Sequence, residues 1–312
     1  TFYYKTWRRE VSSHMRSDGS IIPAEQISLQ PVPPAARSRS TWDMIGPEKM
    51  FRENGTRIDR QTNVYCISQS AQQPNILFCG TEPGDIFKST DGGLNWTITS
   101  MNVGATGGFT SMAIDPTNVN VVYAGSSRAI LKTIDGGATW TTILSVNNLW
   151  VSELLIHPQN SQIVMAACDD GLYRSTNGGA TWTIIFTDPC YDIKFRPGNL
   201  SVVYLLKNNP SQMICEFLRS TDGGQTFSVQ SSGWYSSTDP ARQDMGARLG
   251  VTPADSLCVY AYLIGESKPN DVGYIGLFRS NNGGTSWTNP NGQIGGPYST
   301  QHPNLARGTT TW

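Results

Sequence analysis

The feature that most constrains this chain is an eight-residue pattern, here called the box, that occurs five times. Each copy opens on Ser or Thr, carries Asp or Asn at its third position, continues with two glycines and closes on an aromatic residue. The opening residues are Ser89, Thr133, Ser175, Ser220 and Ser280, and the third positions are Asp91, Asp135, Asn177, Asp222 and Asn282. The second glycines are Gly93, Gly137, Gly179, Gly224 and Gly284, and the closing aromatics are Trp96, Trp140, Trp182, Phe227 and Trp287. The pattern indicates a repeat architecture, not the two domains that a 312-residue length would suggest.

Strand patterns surround each box. An apolar run ends in a Pro-containing turn and is followed by a second apolar run, as in Met112–Pro116 before Val121–Ala124. A third short run, such as Leu172–Arg174, leads into the box, and a fourth follows it. Four short strands in each repeat of roughly 42–45 residues are typical of one propeller blade. The sequence therefore predicts an all-β propeller of at least five four-stranded antiparallel blades, with the box as the hairpin turn between the third and fourth strands.

The residue types of the box suit a turn better than a catalytic site. Its glycines allow positive φ angles, and its hydroxyl and carboxyl or amide oxygens can accept hydrogen bonds from the turn's N–H groups. Two of the five boxes have Asn at the third position, and an acid catalyst would need the charge. The boxes are thus expected to be structural, and no catalytic residue is assigned.

The boxes resemble the Asp-box, or bacterial-neuraminidase repeat, of β-propellers in sialidases, xyloglucanase-type glycoside hydrolases, sortilin-like receptors and photosystem assembly factors. Together with the Ile-x-Pro and Val-Tyr-Ala-Gly strands, they are most similar to the sortilin-like and xyloglucanase-like group. The resemblance covers about residues 62–290, and in these families the box carries no catalytic residue. The segment Thr41–Pro47 also resembles the start of secreted Bacteroidota propellers, which implies a secreted or cell-surface protein and export by the type IX route.

The chain ends lack the blade pattern. Residues 1–40 are expected to form an extended N-terminal arm, and residues 41–312 the propeller. Because the sortilin-like and xyloglucanase-like families have more blades, the resemblance implies that this propeller is part of a larger ring.

The amino-acid composition and motifs limit the classes of partner and cofactor that this chain is expected to bind. Lys and Arg number 23 against 24 Asp and Glu, a balance without the basic excess of a nucleic-acid-binding protein. No apolar run approaches the ~20 residues of a membrane helix, so direct membrane insertion is not expected. Neither a metal-ligand spacing nor a phosphate-binding glycine loop occurs, so no metal or other cofactor is expected.

Loop lengths indicate where a ligand would bind. The extra residues fall at 207–213, 228–247 and 264–273, in connections that emerge on the face of the propeller opposite the boxes, here called the long-loop face. Long loops on a rigid scaffold often carry binding sites. The candidate binding residues on this face are Trp150, Asp169, Asp170, Tyr191, Trp234, Tyr235, Arg242 and Asp244. Glu82, Arg128, Asp192 and Arg248 complete the predicted surface.

Three functions remain open from the sequence. The first is a secreted, non-catalytic module whose long-loop face binds a glycan or a protein, since aromatics beside carboxylates suit either ligand. The second is a xyloglucanase-like glycoside hydrolase, which would need two opposed carboxylates about 5–9.5 Å apart. The third is an assembly or secretion accessory factor.

Overall fold

The computed structural model describes residues 50–51, 57–58, 63–100, 107–146, 149–212, 214–234, 244–265 and 274–291. All of them lie in one compact unit, Ile45–Trp312, and every regular element among them is a β-strand. The first two strands, β1 (Met50–Phe51) and β2 (Arg57–Ile58), form a short antiparallel pair. The predicted arm of residues 1–40 lies outside the described residues.

The remaining strands form five four-stranded sheets, each built from four consecutive strands. Blade 1 contains β3 (Val64–Gln69), β4 (Leu77–Thr81), β5 (Ile86–Ser89) and β6 (Thr97–Ser100). Blade 2 contains β7 (Phe109–Ile114), β8 (Val122–Ser126), β9 (Ala129–Thr133) and β10 (Thr141–Ser145). Blade 3 contains β11 (Val151–Ile156), β12 (Val164–Cys168), β13 (Gly171–Ser175) and β14 (Thr183–Phe186).

Blade 4 contains β15 (Cys190–Arg196), β16 (Asn199–Asn209), β17 (Ile214–Ser220) and β18 (Ser228–Val229). Blade 5 contains β19 (Asp244–Thr252), β20 (Asp255–Gly265), β21 (Tyr274–Ser280) and β22 (Thr288–Asn291). All pairings are antiparallel, and each box lies between the third and fourth strands of its sheet. The predicted all-β fold with four-stranded antiparallel blades is confirmed.

The first strands of successive blades pack side by side, β3 on β7, β7 on β11, β11 on β15 and β15 on β19. The hydrophobic core lies between neighbouring sheets. In one cluster, Phe78 and Ile86 of blade 1 bury Met112 of blade 2, and in another Tyr204 and Leu206 of blade 4 bury Leu249 of blade 5. Burial of apolar surface between sheets therefore holds neighbouring blades together.

One of the three predicted long loops is a lengthened hairpin. In blade 4, β16 continues to Asn209 and β17 begins at Ile214, so residues 207–209 of the predicted loop 207–213 are paired strand. The pairing of Lys207 with Glu216 and of Asn209 with Ile214 satisfies backbone groups that a loop would leave to water. In the described part of the chain, no helix is long and apolar enough to cross a membrane.

Candidate functional site

Each box forms the same hydrogen-bonded turn. In blade 2 the Thr133 hydroxyl accepts the backbone N–H of Gly137 at 3.0 Å and donates to Asp135 Oδ1 at 2.7 Å. Asp135 Oδ1 also accepts the N–H of Thr139 at 2.9 Å. Both glycines of this box have positive φ angles, 71° for Gly136 and 97° for Gly137, which a residue with a Cβ rarely adopts.

Asn replaces Asp in two boxes without changing this turn. Asn177 Oδ1 accepts the hydroxyl of Ser175 and the N–H of Thr181, both at 2.9 Å. Asn282 makes the same two contacts with Ser280 and Ser286. Where the residue is Asp, hydrogen bonds to the carboxylate lower its pKa, to about 2 for both Asp91 and Asp135. Every acceptor oxygen in these contacts serves the turn itself.

The closing aromatics pack against the core, where Trp96 and Trp287 are buried and Trp140, Trp182 and Phe227 are half-buried. Trp140 lies edge-on to Phe78 of the preceding blade at 6.4 Å, and Trp287 lies 4.6 Å from Phe217. Trp96 donates its indole N–H to its own turn at Gly93, whereas Phe227 has no such donor. The shared property of the position is therefore an apolar ring, and the N–H is optional.

The edge opposite the boxes brings Trp150 and Asp169 together. Trp150 directly precedes β11, and Asp169 follows β12, the strand paired with it. The N–H of Trp150 donates to Asp169 Oδ1 at 2.7 Å, and the N–H of Asp169 donates to the carbonyl of Trp150 at 3.0 Å. These reciprocal bonds fix the backbone of a tryptophan that remains 47% exposed. Partial burial raises the pKa of Asp169.

Asp170 adds an unsatisfied acceptor beside this tryptophan. Its Oδ2 accepts the hydroxyl of Tyr173 at 2.7 Å. Its Oδ1 is buried and has no hydrogen-bond partner among the described residues. A buried acceptor without a donor is costly, but an oxygen that solvent does not reach is also closed to a ligand hydroxyl.

Tyr191 and Asp244 also lie at the edge opposite the boxes. Tyr191 lies at the same edge, half-buried, and its hydroxyl accepts Asn208 Nδ2 at 2.8 Å. The backbone of Asp244 begins β19 at this edge. Tyr235, Arg242 and the side chain of Asp244 lie outside the described residues.

The prediction that Trp234 is an exposed binding residue is wrong. The side chain is 7% exposed and packs 5.1 Å from the Phe278 ring and 4.7 Å from the Trp287 ring. Its indole N–H donates to the carbonyl of Cys215 at 2.8 Å. The segment before it is anchored by the N–H of Trp287, which donates to the carbonyl of Ser232. The connection thus folds back and buries its tryptophan between blades 4 and 5.

Asp192 is also an inter-blade residue and not a surface one. It is 1% exposed, accepts the N–H of Leu249 in blade 5 at 2.7 Å and pairs with Lys194 at 3.1 Å. Lys194 also pairs with Glu153 of blade 3. Burial raises the pKa of Glu153, while Lys194 opposes that rise. The two carboxylates of blades 3 and 4 are therefore bridged by one ammonium group.

A second lysine closes another carboxylate pair. Lys207 is buried and contacts Asp188 Oδ2 at 2.7 Å and Glu216 Oε2 at 3.4 Å. Its ammonium also lies 5.8 Å from the centre of the Phe186 ring. These contacts satisfy the buried charge. Among the described residues, no group of three or more His, Cys, Asp or Glu side chains could hold a metal ion.

Sequence reasoning missed a set of cations that connect neighbouring blades. Lys88 donates to the carbonyl of Gly136 and Lys132 to that of Gly178, both at 2.8 Å. Arg174 makes the corresponding bond to Gly223 at 3.4 Å. The signal was present in the sequence, because Lys or Arg directly precedes every box: Lys88, Lys132, Arg174, Arg219 and Arg279.

Comparisons with known proteins agree with this architecture. The model of the Sortilin-Vps10 family, described as "Sortilin, neurotensin receptor 3", matches residues 84–259, which is more than half of the chain. A probable oligoxyloglucan-reducing end-specific xyloglucanase of Neosartorya fischeri is 29% identical over 125 residues. That match covers 38% of this chain and 14% of the enzyme.

Solved structures show the same fold. The GH74 enzyme of Niastella koreensis superposes with a TM-score of 0.58 at 19% identity, covering 72% of this chain and 38% of the enzyme. An ancestral GH74 enzyme gives a TM-score of 0.59 at 20% identity, covering 83% of this chain and 34% of that enzyme. At these identities the likeness establishes the fold, and the chain spans little more than a third of either enzyme.

Proposed function

Because the chain belongs to the Sortilin-Vps10 family, we propose that it is a non-catalytic binding propeller whose long-loop face recognises a glycan. The observation that carries this proposal is an exposed, backbone-fixed Trp150 beside the exposed carboxylate of Asp169, which accepts its N–H at 2.7 Å. An indole ring offers an apolar platform for the C–H face of a sugar, and a carboxylate oxygen accepts a sugar hydroxyl.

The state of four carboxylates, Glu153, Asp192, Asp188 and Glu216, supports a structural role for them and not a catalytic one. A glycosidase needs one carboxyl group that can protonate the leaving oxygen and a second that faces the sugar or a water. Glu153 and Asp192 are both engaged by Lys194, and Asp188 and Glu216 by Lys207. Asp192 is also too buried to meet a substrate. Within the described residues, these four carboxylates form salt bridges that stabilise the fold.

A xyloglucanase-like glycoside hydrolase is the second candidate. It is favoured by the similarity to the xyloglucanase of N. fischeri and by the GH74 folds. Those relatives are much longer than this chain, so carboxylates contributed by other parts of a longer protein would have to complete such a site. A secreted or cell-surface location forms part of our proposal, and export by the type IX route stays a prediction.

The proposal is tested by screening the chain and its Trp150→Ala variant against an array of neutral plant polysaccharides. We expect wild-type binding to at least one glycan and a loss of about tenfold or more in the variant, since one stacked ring is worth about 1–3 kcal/mol. The matched control is Ile184→Ala, which removes a 52% exposed side chain from an outer strand and should bind normally. Equal binding by wild type and Trp150→Ala would contradict the site, and selective binding to proteins would favour the other ligand class.

A further inference from the structure

The junction between blades 4 and 5 differs from the three junctions before it. In those three, the cation that directly precedes a box donates to the first glycine's carbonyl in the next blade's box, and the pairs are Lys88 with Gly136, Lys132 with Gly178 and Arg174 with Gly223. Arg219 holds the corresponding position in blade 4, where it pairs across the sheet with Tyr204. Among the described residues, Arg219 makes no such bond to Gly283 of blade 5, and its Nε is buried without a hydrogen-bond partner. This cation therefore lacks the contact that its counterparts make.

A second arginine, Arg196, lies at the same junction. It is the last residue of β15 and precedes the turn to β16, which is at the edge of the blade that also carries the box. Its Nη1 lies 3.9 Å from the point that a Cβ on Gly283 would occupy, and the hydroxyl of Tyr204 lies 3.3 Å from the same point. The Nε of Arg196 is buried without a hydrogen-bond partner, as that of Arg219 is.

The charges of both arginines act on the hydroxyl of Tyr204. Burial raises the pKa of Tyr204, and the positive charges of Arg196 and Arg219 oppose that rise. The tyrosine is fully buried, and its hydroxyl has no hydrogen-bond partner in the described part of the chain. Two guanidinium groups and a hydroxyl, all of them hydrogen-bond donors, therefore come together at this junction.

Blade 2 has the opposite charge at the position of Arg196. Asp115 occupies the equivalent place there, directly after β7 in the matching register. Burial lowers the pKa of Lys132, the cation before the box of blade 2, and the carboxylate of Asp115 opposes that change. In blade 2 a cation thus lies near an anion, whereas in blade 4 Arg219 lies near a second cation.

No carboxylate of the described residues forms an ion pair with Arg196 or Arg219. Asp222, in the box of blade 4, accepts the hydroxyl of Thr226 at 2.6 Å. Asp255, in the corresponding turn of blade 5, accepts a backbone N–H of that turn at 3.0 Å. Both arginines are only half-buried, and their Nη groups have no hydrogen-bond partner within the described ranges. These charged donors are therefore open to an anion from solution.

We propose that Arg196 and Arg219 together bind a tetrahedral oxyanion, a sulfate or phosphate group, at the box edge of the junction between blades 4 and 5. A guanidinium group presents planar, permanently charged donors that match the oxygens of such a group, and a tetrahedral anion has enough oxygens to contact both arginines. The bound group supplies the negative charge that Asp115 supplies in blade 2. The buried Nε atoms and the Tyr204 hydroxyl are closed to the ligand, so the Nη groups make the contacts. This site lies at the edge opposite Trp150, and it does not depend on the glycan-binding proposal.

The test titrates the chain with inorganic sulfate and with inorganic phosphate, at an ionic strength held constant with chloride, and follows the arginine Nε–H signals by NMR. We expect saturable shifts of the Arg196 and Arg219 signals. Arg196→Asp and Arg219→Gln should each weaken binding by about tenfold or more, read from the signal of the arginine that remains. Arg196→Asp reproduces the charges of blade 2, so without added anion it should also raise the urea midpoint above that of the wild type. That increase shows that the variant is folded.

Arg279→Gln is the matched control. Arg279 precedes the box of blade 5 and lies 5.6 Å from the ring of Tyr260, but Thr252 occupies the position that Arg196 has in blade 4. This variant should bind sulfate within about twofold of the wild type. A sulfated and a phosphorylated monosaccharide, compared with the free ions, identify the source of the group, and tighter binding of either form supports the site. The proposal is overturned if neither anion gives saturable shifts, if Arg196→Asp still binds them, or if Arg279→Gln weakens binding as much as Arg219→Gln does.

Discussion

At the scale of the residue, the third position of the box shows that the turn depends on a hydrogen-bond acceptor and not on a negative charge. Asp135 and Asn177 accept the same opening hydroxyl and the same N–H four residues on. What the turn requires is an oxygen at this place, and the boxes with Asn already supply one without a charge. The sequence predicted this because the Asp/Asn exchange is visible within the chain itself.

We therefore expect Asp135→Asn to leave the urea midpoint close to that of the wild type and Asp135→Ala to lower it. The alanine variant loses the acceptor for Thr139 N–H and the Thr133 hydroxyl. Urea unfolding followed by tryptophan fluorescence measures both, with Asn177→Asp as the reverse exchange. A midpoint equally low for Asp135→Asn would show that the charge itself is needed.

The lowered pKa values of the box carboxylates predict that the protein loses stability at acid pH. The pKa of Asp91 and of Asp135 is about 2 in the folded chain, below the value of a free Asp, which is about 3.9. A lowered folded-state pKa contributes stability above the unfolded pKa, and that contribution is lost as the pH falls from about 4 through 2. The double variant Asp91→Asn with Asp135→Asn should show a shallower loss of thermal stability between pH 4 and 2. An unchanged slope would contradict the assignment.

At the scale of the element, the sequence predicted which strands form each blade and where the hairpins lie. It did not predict how a connection packs. Trp234 lies in the long, polar connection that follows β18, the last strand of blade 4. Its sequence context therefore resembles that of an exposed loop residue. Its burial depends on Phe217, Phe278 and Trp287, which come from two blades and converge only in the folded chain. Contacts between segments that are distant in the sequence produce no local hydrophobic periodicity from which such burial could be predicted.

Asp192 illustrates the same limit and gives an element-scale prediction. Its carboxylate connects β15 to β19 through Leu249 N–H and holds Lys194 within the blade. Asp192→Ala should destabilise the protein by about 3 kcal/mol or more, because a buried N–H and a partly buried ammonium lose their partner. Differential scanning calorimetry measures the loss. Asp192→Asn, which retains an acceptor, should cost less, and equal losses in the two variants would contradict the hydrogen-bond account.

At the scale of the whole molecule, the repeats explain why the fold could be predicted from the sequence more fully than the function. Five boxes at near-regular spacing define the blades, and the rigid array places Trp150, Asp169 and Tyr191 at one edge through strand register alone. The reciprocal hydrogen bonds between Trp150 and Asp169 have no sequence signature, because they depend on the register in which β11 pairs with β12. The candidate site was therefore predicted by position, and its chemistry required the structure.

The most direct test of the account measures binding and turnover on the same sample. Calorimetric titration of the chain with oligosaccharides of the best-bound polysaccharide, followed by an assay for new reducing ends, separates the two activities. The account predicts saturable binding that Trp150→Ala and Asp169→Ala each weaken, with no increase in reducing ends. Release of new reducing ends by the wild-type chain would contradict a non-catalytic role, and undiminished binding in both variants would contradict the site.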